Sequence, residues 1–265
     1  MSAEAPAILS AEEYSYRLGN KALLEKISFK LAPGACCAII GPNGAGKTTL
    51  LKSFCRILPA GEGELRVNGR SWREYSQREL AHWISYVPQA GGRDDLFSVR
   101  EFVLMGRYPH LSAFSNIRRE DRQAVEKALD VTGLTDLAHR RLGTLSGGEQ
   151  QKAMIASALV QESRVMLLDE PTAFLDPFQQ KQIYELLGRL HRETGVTLVE
   201  VTHDVNRALL GHDCLLALKR GRLLFAGTPE EFLRRQQLQV LYDKVFDLAP
   251  HPQSGKMMIL PEVQS

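Results

Sequence analysis

One octet, Gly41-Pro42-Asn43-Gly44-Ala45-Gly46-Lys47-Thr48, constrains the fold more than any other stretch of this 265-residue chain. It fits Gly-x-x-x-x-Gly-Lys-Ser/Thr, a loop whose backbone N–H groups point at phosphate oxygens. Such a loop needs a strand that ends at it and a helix that starts from it. Both flanks are present. Ala35-Cys36-Cys37-Ala38-Ile39-Ile40 is a short apolar run that reads as a buried parallel strand. The run from Thr49 to Leu58 reads as a helix whose N-terminus faces the anion. Gly44 and Gly46 permit backbone conformations and a close approach that a side chain would block. Lys47 is expected to reach the β- and γ-phosphates, and the Thr48 hydroxyl to hold Mg²⁺, with Thr49 beside it at the helix start. A glycine-rich turn without a ligand is the plain alternative; the full set of strand, loop and helix argues against it.

Two more segments carry chemistry. The apolar run Val165-Met166-Leu167-Leu168 ends abruptly in Asp169-Glu170. In a doubly wound sheet such a strand delivers its C-terminal residues to the ligand crevice. Asp169 would then hold Mg²⁺, directly or through water, and Glu170 would polarise the attacking water. Two surface acids at a strand end are the alternative, weakened by the phosphate loop upstream. Between the two lies Leu145-Ser146-Gly147-Gly148-Glu149-Gln150-Gln151. Ser-Gly-Gly suits any turn, but Glu149 to Val160 consists mostly of good helix formers with a small apolar side. Ser146, Gly147 and Gly148 therefore start a helix, a second anion-binding position.

The three segments, in this order, resemble the ATPase subunit of ATP-binding-cassette (ABC) transporters, and the resemblance runs from about residue 10 to the C-terminus. It implies an α/β fold: a P-loop NTPase (RecA-like) core, an antiparallel β subdomain and an inserted helical subdomain. The chain would be a single domain over 10–265, with residues 1–89 and 164–265 as core and 90–163 as the helical insert. ATP and Mg²⁺ are the implied cofactors. In such proteins ATP lies between the phosphate loop of one copy and the Leu-Ser-Gly-Gly-Glu of another, so a second copy of the chain is an implied partner. The resemblance adds Gln89 as the residue that senses Mg²⁺ and water, His203 as a contact to the γ-phosphate, and Asp176 in a loop that crosses the dimer interface. It also makes Tyr16 the adenine-stacking aromatic, with Tyr14 as a rival on the same face and a half-buried strand tyrosine as the alternative. The chain departs from the pattern at Ala173 and Phe174, which alter cross-interface contacts. It departs again at Lys152 and Ser157, where arginines are usual; lysine is the poorer bidentate partner.

Composition narrows the partners. A net charge of +2 makes no electrostatic case for nucleic acid, and pairs such as Arg118-Arg119 and Arg234-Arg235 read as solvated faces. No apolar run approaches the ~20 residues needed to span a bilayer. Met1 to Glu13 lacks the basic-then-apolar plan of a signal peptide. The expected place is the cytoplasmic face of the membrane, peripheral, with the pore supplied by other polypeptides. The four cysteines show no Cys-x-x-Cys spacing, and Cys36 and Cys37 read as small core residues.

A coarse pass places a loose tail over 1–9, antiparallel strands within 10–34 and 62–87 with a turn at Asn68-Gly69, and helices over Val99–Gly106, Asp121–Gly133 and Gln179–Thr194. A last strand pair covers Cys214–Leu218 and Leu223–Ala226. Two stretches address the subtype. Leu104-Met105-Gly106-Arg107-Tyr108-Pro109-His110 resembles the importer ATPases for iron–siderophore, haem and cobalamin, and His251 to Pro261 looks like the terminal strand of the same group. They imply the energy-coupling ATPase of an importer, with separate permease subunits docking near Phe97–His110 and, indirectly, an external solute-binding protein. Arg107 and Tyr108 are the expected exposed contacts; the alternative is that this segment only closes the insert's own core. The competing function is the ATPase of an exporter, or of an importer for another solute.

Overall fold

The computed structural model describes residues 6–89, 96–111 and 116–260. The start of the N-terminal tail, the first residues of the insert and Pro261 lie outside the described residues. The chain forms two compact units, Met1–Trp72 with Val199–Ser265, and Arg73–Leu198.

The first unit begins with β1 (Leu9–Leu18) and β2 (Lys21–Leu31), followed by β3 (Cys36–Ile40), α1 (Lys47–Phe54), β4 (Glu62–Val67) and β5 (Arg70–Ser71). The order β2-β1-β4-β5 makes an antiparallel sheet. Alternation drives it: Leu24, Ile27, Phe29 and Leu31 of β2 are buried, and charged neighbours such as Lys26 and Lys30 are not. Asn68 and Gly69, both at positive φ, turn β4 into β5, as the Asn-Gly pair predicts. The helix after the phosphate loop is shorter than its apolar run suggests. It stops at Phe54, and Arg56 enters the left-handed region at φ 53°. That turn sets the Arg56 guanidinium 4.9 Å from the Trp72 ring centroid and lets it donate to the Trp72 carbonyl.

The second unit holds α2 (Gln77–Trp83), β6 (Ile84–Val87), α3 (Val99–Met105), α4 (Arg119–Thr132), α5 (Gly147–Val160), β7 (Val165–Asp169) and α6 (Pro177–Thr194). Local chemistry fixes the helix ends. Capping boxes start α2, α3 and α5 at Ser76/Glu79, Ser98/Glu101 and Ser146/Glu149. Left-handed glycines, Gly133 and Gly195, end α4 and α6. Val99, Val103, Val125, Leu129, Ala153 and Ala156 close one helical core. Beside it β6 and β7 pair in parallel, Ile84 opposite Val165, with β7 buried throughout. The unit extends past the 90–163 insert at both ends.

The division falls within β8 (Thr197–Val201). In the second unit, Thr197 N–H donates to the Arg164 carbonyl; in the first, Thr202 N–H donates to Ile39. The chain continues through α7 (Val205–Gly211), β9 (Cys214–Lys219), β10 (Arg222–Gly227), α8 (Pro229–Arg234), α9 (Gln237–Tyr242), β11 (Leu248–Pro250) and β12 (Met257–Ile259). β9 runs parallel to β3, with Cys37 opposite Cys214, and β10 turns back antiparallel. The expected terminal strand over His251–Pro261 is mostly turn. His251 N–H donates to Lys256, Gly255 N–H returns to His251, and only Met257–Ile259 is extended, paired to β11.

Candidate nucleotide site

The phosphate loop lies in the first unit, between β3 and α1. Its glycines have separate reasons. A Cβ on Gly41 would lie 2.0 Å from the Leu218 carbonyl oxygen, and one on Gly46 would lie 2.7 Å from that of Leu23. Gly44 has open space but φ 76°. The loop is tied down by Ala45, whose N–H donates to Pro42 and whose carbonyl accepts from Gly221. Lys47 is buried, and its Nζ lies across the loop, donating to the Gly41 and Pro42 carbonyls at 2.7 and 3.1 Å. α1 has no side-chain cap and no acid in its first turn. Its positive helix end faces the loop, so a phosphate fits the cradle.

His203 is in the same unit. Thr202 is hydrogen-bonded to Ile39, two residues before Gly41, so His203 stands past the end of β8 on the loop's edge of the sheet, exposed. Thr202 Oγ1 accepts from Asp204 N–H, and Asp204 caps α7 at Arg207 N–H, which fixes the backbone on both sides of the histidine.

The acids lie in the second unit. Asp169 ends β7, buried, and accepts from the Tyr86 hydroxyl at 2.9 Å. Tyr86, on β6 beside the expected Gln89, was not singled out by motif; only the pairing of β6 with β7 reveals its job. Glu170 turns into the left-handed region at φ 49°, a conformation that costs a non-glycine residue about 1–3 kcal/mol and clusters at functional sites. Gln89 Nε2 donates to Glu170 Oε2 at 3.2 Å, so the structure brings these two expected residues together. Gln89 and Asp169 here, and Thr48 taken by itself in the first unit, each offer a hard oxygen donor, the kind Mg²⁺ takes.

Ser146, Gly147 and Gly148 start α5 as expected, but the anion position is partly filled by the chain itself. Glu149 Oε2 accepts from both Ser146 N–H and Ser146 Oγ, which holds the Glu149 carboxyl below its ordinary range. A capping box leaves the next two N–H groups, those of Gly147 and Gly148, without partners inside the helix. Asp176 has a local task too: it caps α6 at Gln179 N–H, 2.8 Å. Lys152 donates to the Gln182 amide oxygen at 2.9 Å.

Tyr16 is 5% exposed and Tyr14 fully buried, so in this structure both rings pack into the antiparallel sheet. One expectation needs correction. Arg107, expected at the surface, is 6% exposed. Its guanidinium reaches Asp121 Oδ1 at 3.1 Å, Glu162 Oε2 at 2.9 Å and the Val160 carbonyl at 2.9 Å, joining the ends of α3, α4 and α5. A Cβ on Gly106 would lie 2.1 Å from the Ser157 carbonyl oxygen. Pro109 is buried, and His110 Nε2 meets the Gln161 carbonyl at 2.9 Å. Of the five residues Gly106–His110, four serve packing. Tyr108, 64% exposed, faces out, with Leu96, Phe97 and Met105 also exposed.

The profile of the ABC transporter family matches residues 24–173. The chain is 37% identical to the ferric enterobactin transport ATP-binding protein FepC of Escherichia coli K12, over 97% of this chain and 95% of that protein. It is 37% identical to the hemin import ATP-binding protein HmuV of Streptomyces coelicolor, over 92% and 86%. Among solved structures, one described as a metal-chelate type ABC transporter in an inward-facing conformation superposes with a TM-score of 0.83 at 30% identity, covering 98% of each chain.

Proposed function

The chain belongs to the ABC transporter family, and from that premise we propose that it is the ATP-hydrolysing subunit powering an importer of metal chelates. The phosphate loop holds the ATP phosphates. Lys47 exchanges its loop carbonyls for phosphate oxygens, and the N-terminus of α1 adds fixed positive potential. Mg²⁺, held by Thr48 and Asp169 with Gln89 in reach of water, would neutralise charge on the phosphate oxygens. Glu170 orients and deprotonates the attacking water, and His203 contacts the γ-phosphate.

The observation that carries this reading is the Gln89–Glu170 hydrogen bond beside a strained Glu170 backbone. It fixes the carboxylate at the end of a buried strand, aimed by neighbours rather than left as a loose surface acid. Glu170→Gln is expected to keep ATP affinity and to lower turnover by ~10²–10⁴-fold. Near-normal turnover would remove Glu170 from this role.

A second copy completes the site. Among the described residues no contact requires glycine at 147: a Cβ there would meet Leu175 Cδ2 at 3.4 Å, an ordinary distance. That supports a requirement imposed from outside, by the ATP held on a partner's phosphate loop. Asp176 would lie in the loop crossing that interface. The helical subdomain, 90–163, docks the permease through exposed Leu96, Phe97, Met105 and Tyr108 at the cytoplasmic face. No helix of the described residues is long and apolar enough to cross a membrane, so the subunit associates peripherally. The metal-chelate class rests on the named relatives and on the Gly106–His110 and C-terminal stretches; copurification with a polytopic permease, followed by uptake assays with ferric siderophores, haem and cobalamin, tests it.

A further inference from the structure

Asp169 and Glu170 are neighbours in the chain, yet each is met by a different side chain from the β6 segment. Gln89 Nε2 donates to Glu170 Oε2 at 3.2 Å, and the Tyr86 hydroxyl donates to Asp169 Oδ2 at 2.9 Å. Gln89 and Glu170 have parts in the hydrolysis; Tyr86 has none. We propose that Tyr86 is a positioning residue for the divalent cation, fixing the Asp169 carboxylate in the orientation in which it ligates Mg²⁺.

Strand pairing puts the hydroxyl there. β6 and β7 align Ile84 with Val165, Ser85 with Met166, Tyr86 with Leu167 and Val87 with Leu168. Aligned residues of adjacent strands share a face of the sheet, and so do residues two apart on one strand. Tyr86, Leu167 and Asp169 therefore lie on one face, with Asp169 two residues further along. Two residues of strand span roughly 6–7 Å. A phenol covers that diagonal; a phenylalanine ring in the same place stops one oxygen short. The other end of β6 is pinned. Ser163 Oγ lies 2.8 Å from Ser85 Oγ and 3.0 Å from the Val165 carbonyl oxygen. Gln161 Nε2 donates to the Ala81 and Ile84 carbonyls at 2.6 and 2.7 Å. These contacts hold the register, and a slip of one residue would turn Tyr86 to the opposite face.

Asp169 is buried, and a buried carboxylate needs a donor. Held by one oxygen, it cannot rotate about its Cβ–Cγ bond without giving up the Tyr86 proton. It then meets the cation as a fixed ligand and not as a rotor. Such partners, one layer out from a metal, typically carry about 10–100-fold in metal affinity or activity. A phenol suits the task because it brings a proton to share and no charge. It orients the acid without competing for the site, as a lysine in its place would.

This inference rests on the reading that Asp169 holds Mg²⁺. The test is Tyr86→Phe in the full chain carrying Glu170→Gln, so that ATP is not consumed. The probe is Mn²⁺, which takes the same oxygen ligands, titrated by electron paramagnetic resonance with the chain in excess over ATP. The Kd for Mn²⁺ is expected to rise by about 10-fold. The Kd of a fluorescent ATP analogue in EDTA should stay within roughly twofold, because the phosphate loop is untouched. Unchanged Mn²⁺ affinity overturns the proposal, even where Tm falls, since that is the result of a hydroxyl that only satisfies a buried acid. Equal losses with and without metal also overturn it, because they report a general distortion. Asp169→Asn separates the two levels. If it leaves Mn²⁺ affinity unchanged, the reading of Asp169 as a ligand fails. If it weakens Mn²⁺ while Tyr86→Phe does nothing, only this inference fails. Combined with Asp169→Asn, Tyr86→Phe should add little, because it acts through that carboxylate; a full additive loss overturns the path.

Discussion

The two glycine-rich turns differ in what they need. The phosphate loop is complete within its own unit: Gly41 and Gly46 are demanded by Leu218 and Leu23, Lys47 is buried on loop carbonyls, and α1 starts without a side-chain cap. The Ser146 turn is the reverse. Its helix is capped by its own serine and glutamate, yet nothing among the described residues requires Gly147 to be glycine. Glycine required by the fold marks a site that one chain builds; glycine the fold does not require marks a surface shaped for something else. The same contrast divides Gly106–His110, where Arg107 is locked inside and Tyr108 is presented.

The sharpest way to break this comparison is to mix chains. Lys47→Ala and Ser146→Arg are each expected to be nearly inactive alone. At equal ratio, random pairing makes half the dimers mixed, each with one intact composite site, so about a quarter of wild-type ATPase should return. No recovery where mixed dimers demonstrably form means that the Ser146 turn does not complete a partner's site.

Next in size is the ion pair at α3. Arg107→Ala leaves Asp121 buried and is expected to cost roughly 3–5 kcal/mol, read by denaturant unfolding. Tyr108→Ala should stay within about 0.5 kcal/mol, hydrolyse ATP normally and lose capture by the permease. Equal stability loss at both positions would erase the distinction. The pair also carries a pH signature. Burial alone would raise Asp121, but the Arg118 N–H and the Arg107 guanidinium outweigh it and hold the carboxyl below its ordinary 3.8. Its contribution is present above that value and lost as pH falls through the depressed one. The stability gap between wild type and Asp121→Asn should therefore narrow in acid below pH 3.8.

Smaller still is the glycine test. Gly41→Ala is expected to cost about 1–3 kcal/mol or more, since a backbone oxygen stands in the way. Gly147→Ala should leave folding within about 0.5 kcal/mol while cutting turnover of the assembled dimer. Between these two in its effect on folding lies Ser146→Ala, about 1 kcal/mol of helix capping. A larger loss would mean that Ser146 holds more than its own helix.

Much of the fold was legible because its signals are local. The octet specifies strand, loop and helix through backbone sterics, Asn68-Gly69 makes its turn wherever it occurs, and Ser-x-x-Glu starts α2, α3 and α5. The apolar run before Asp169 could be read as a buried strand because every residue of it is apolar. The sequence by itself determined these, along with the candidate phosphate ligands, since each depends on neighbours a few positions away. Only the tertiary structure decided which side chains face out. Tyr16 and Arg107 resemble surface contacts in the sequence, but burial is set by partners such as Asp121 and Glu162, which lie 14 and 55 positions from Arg107.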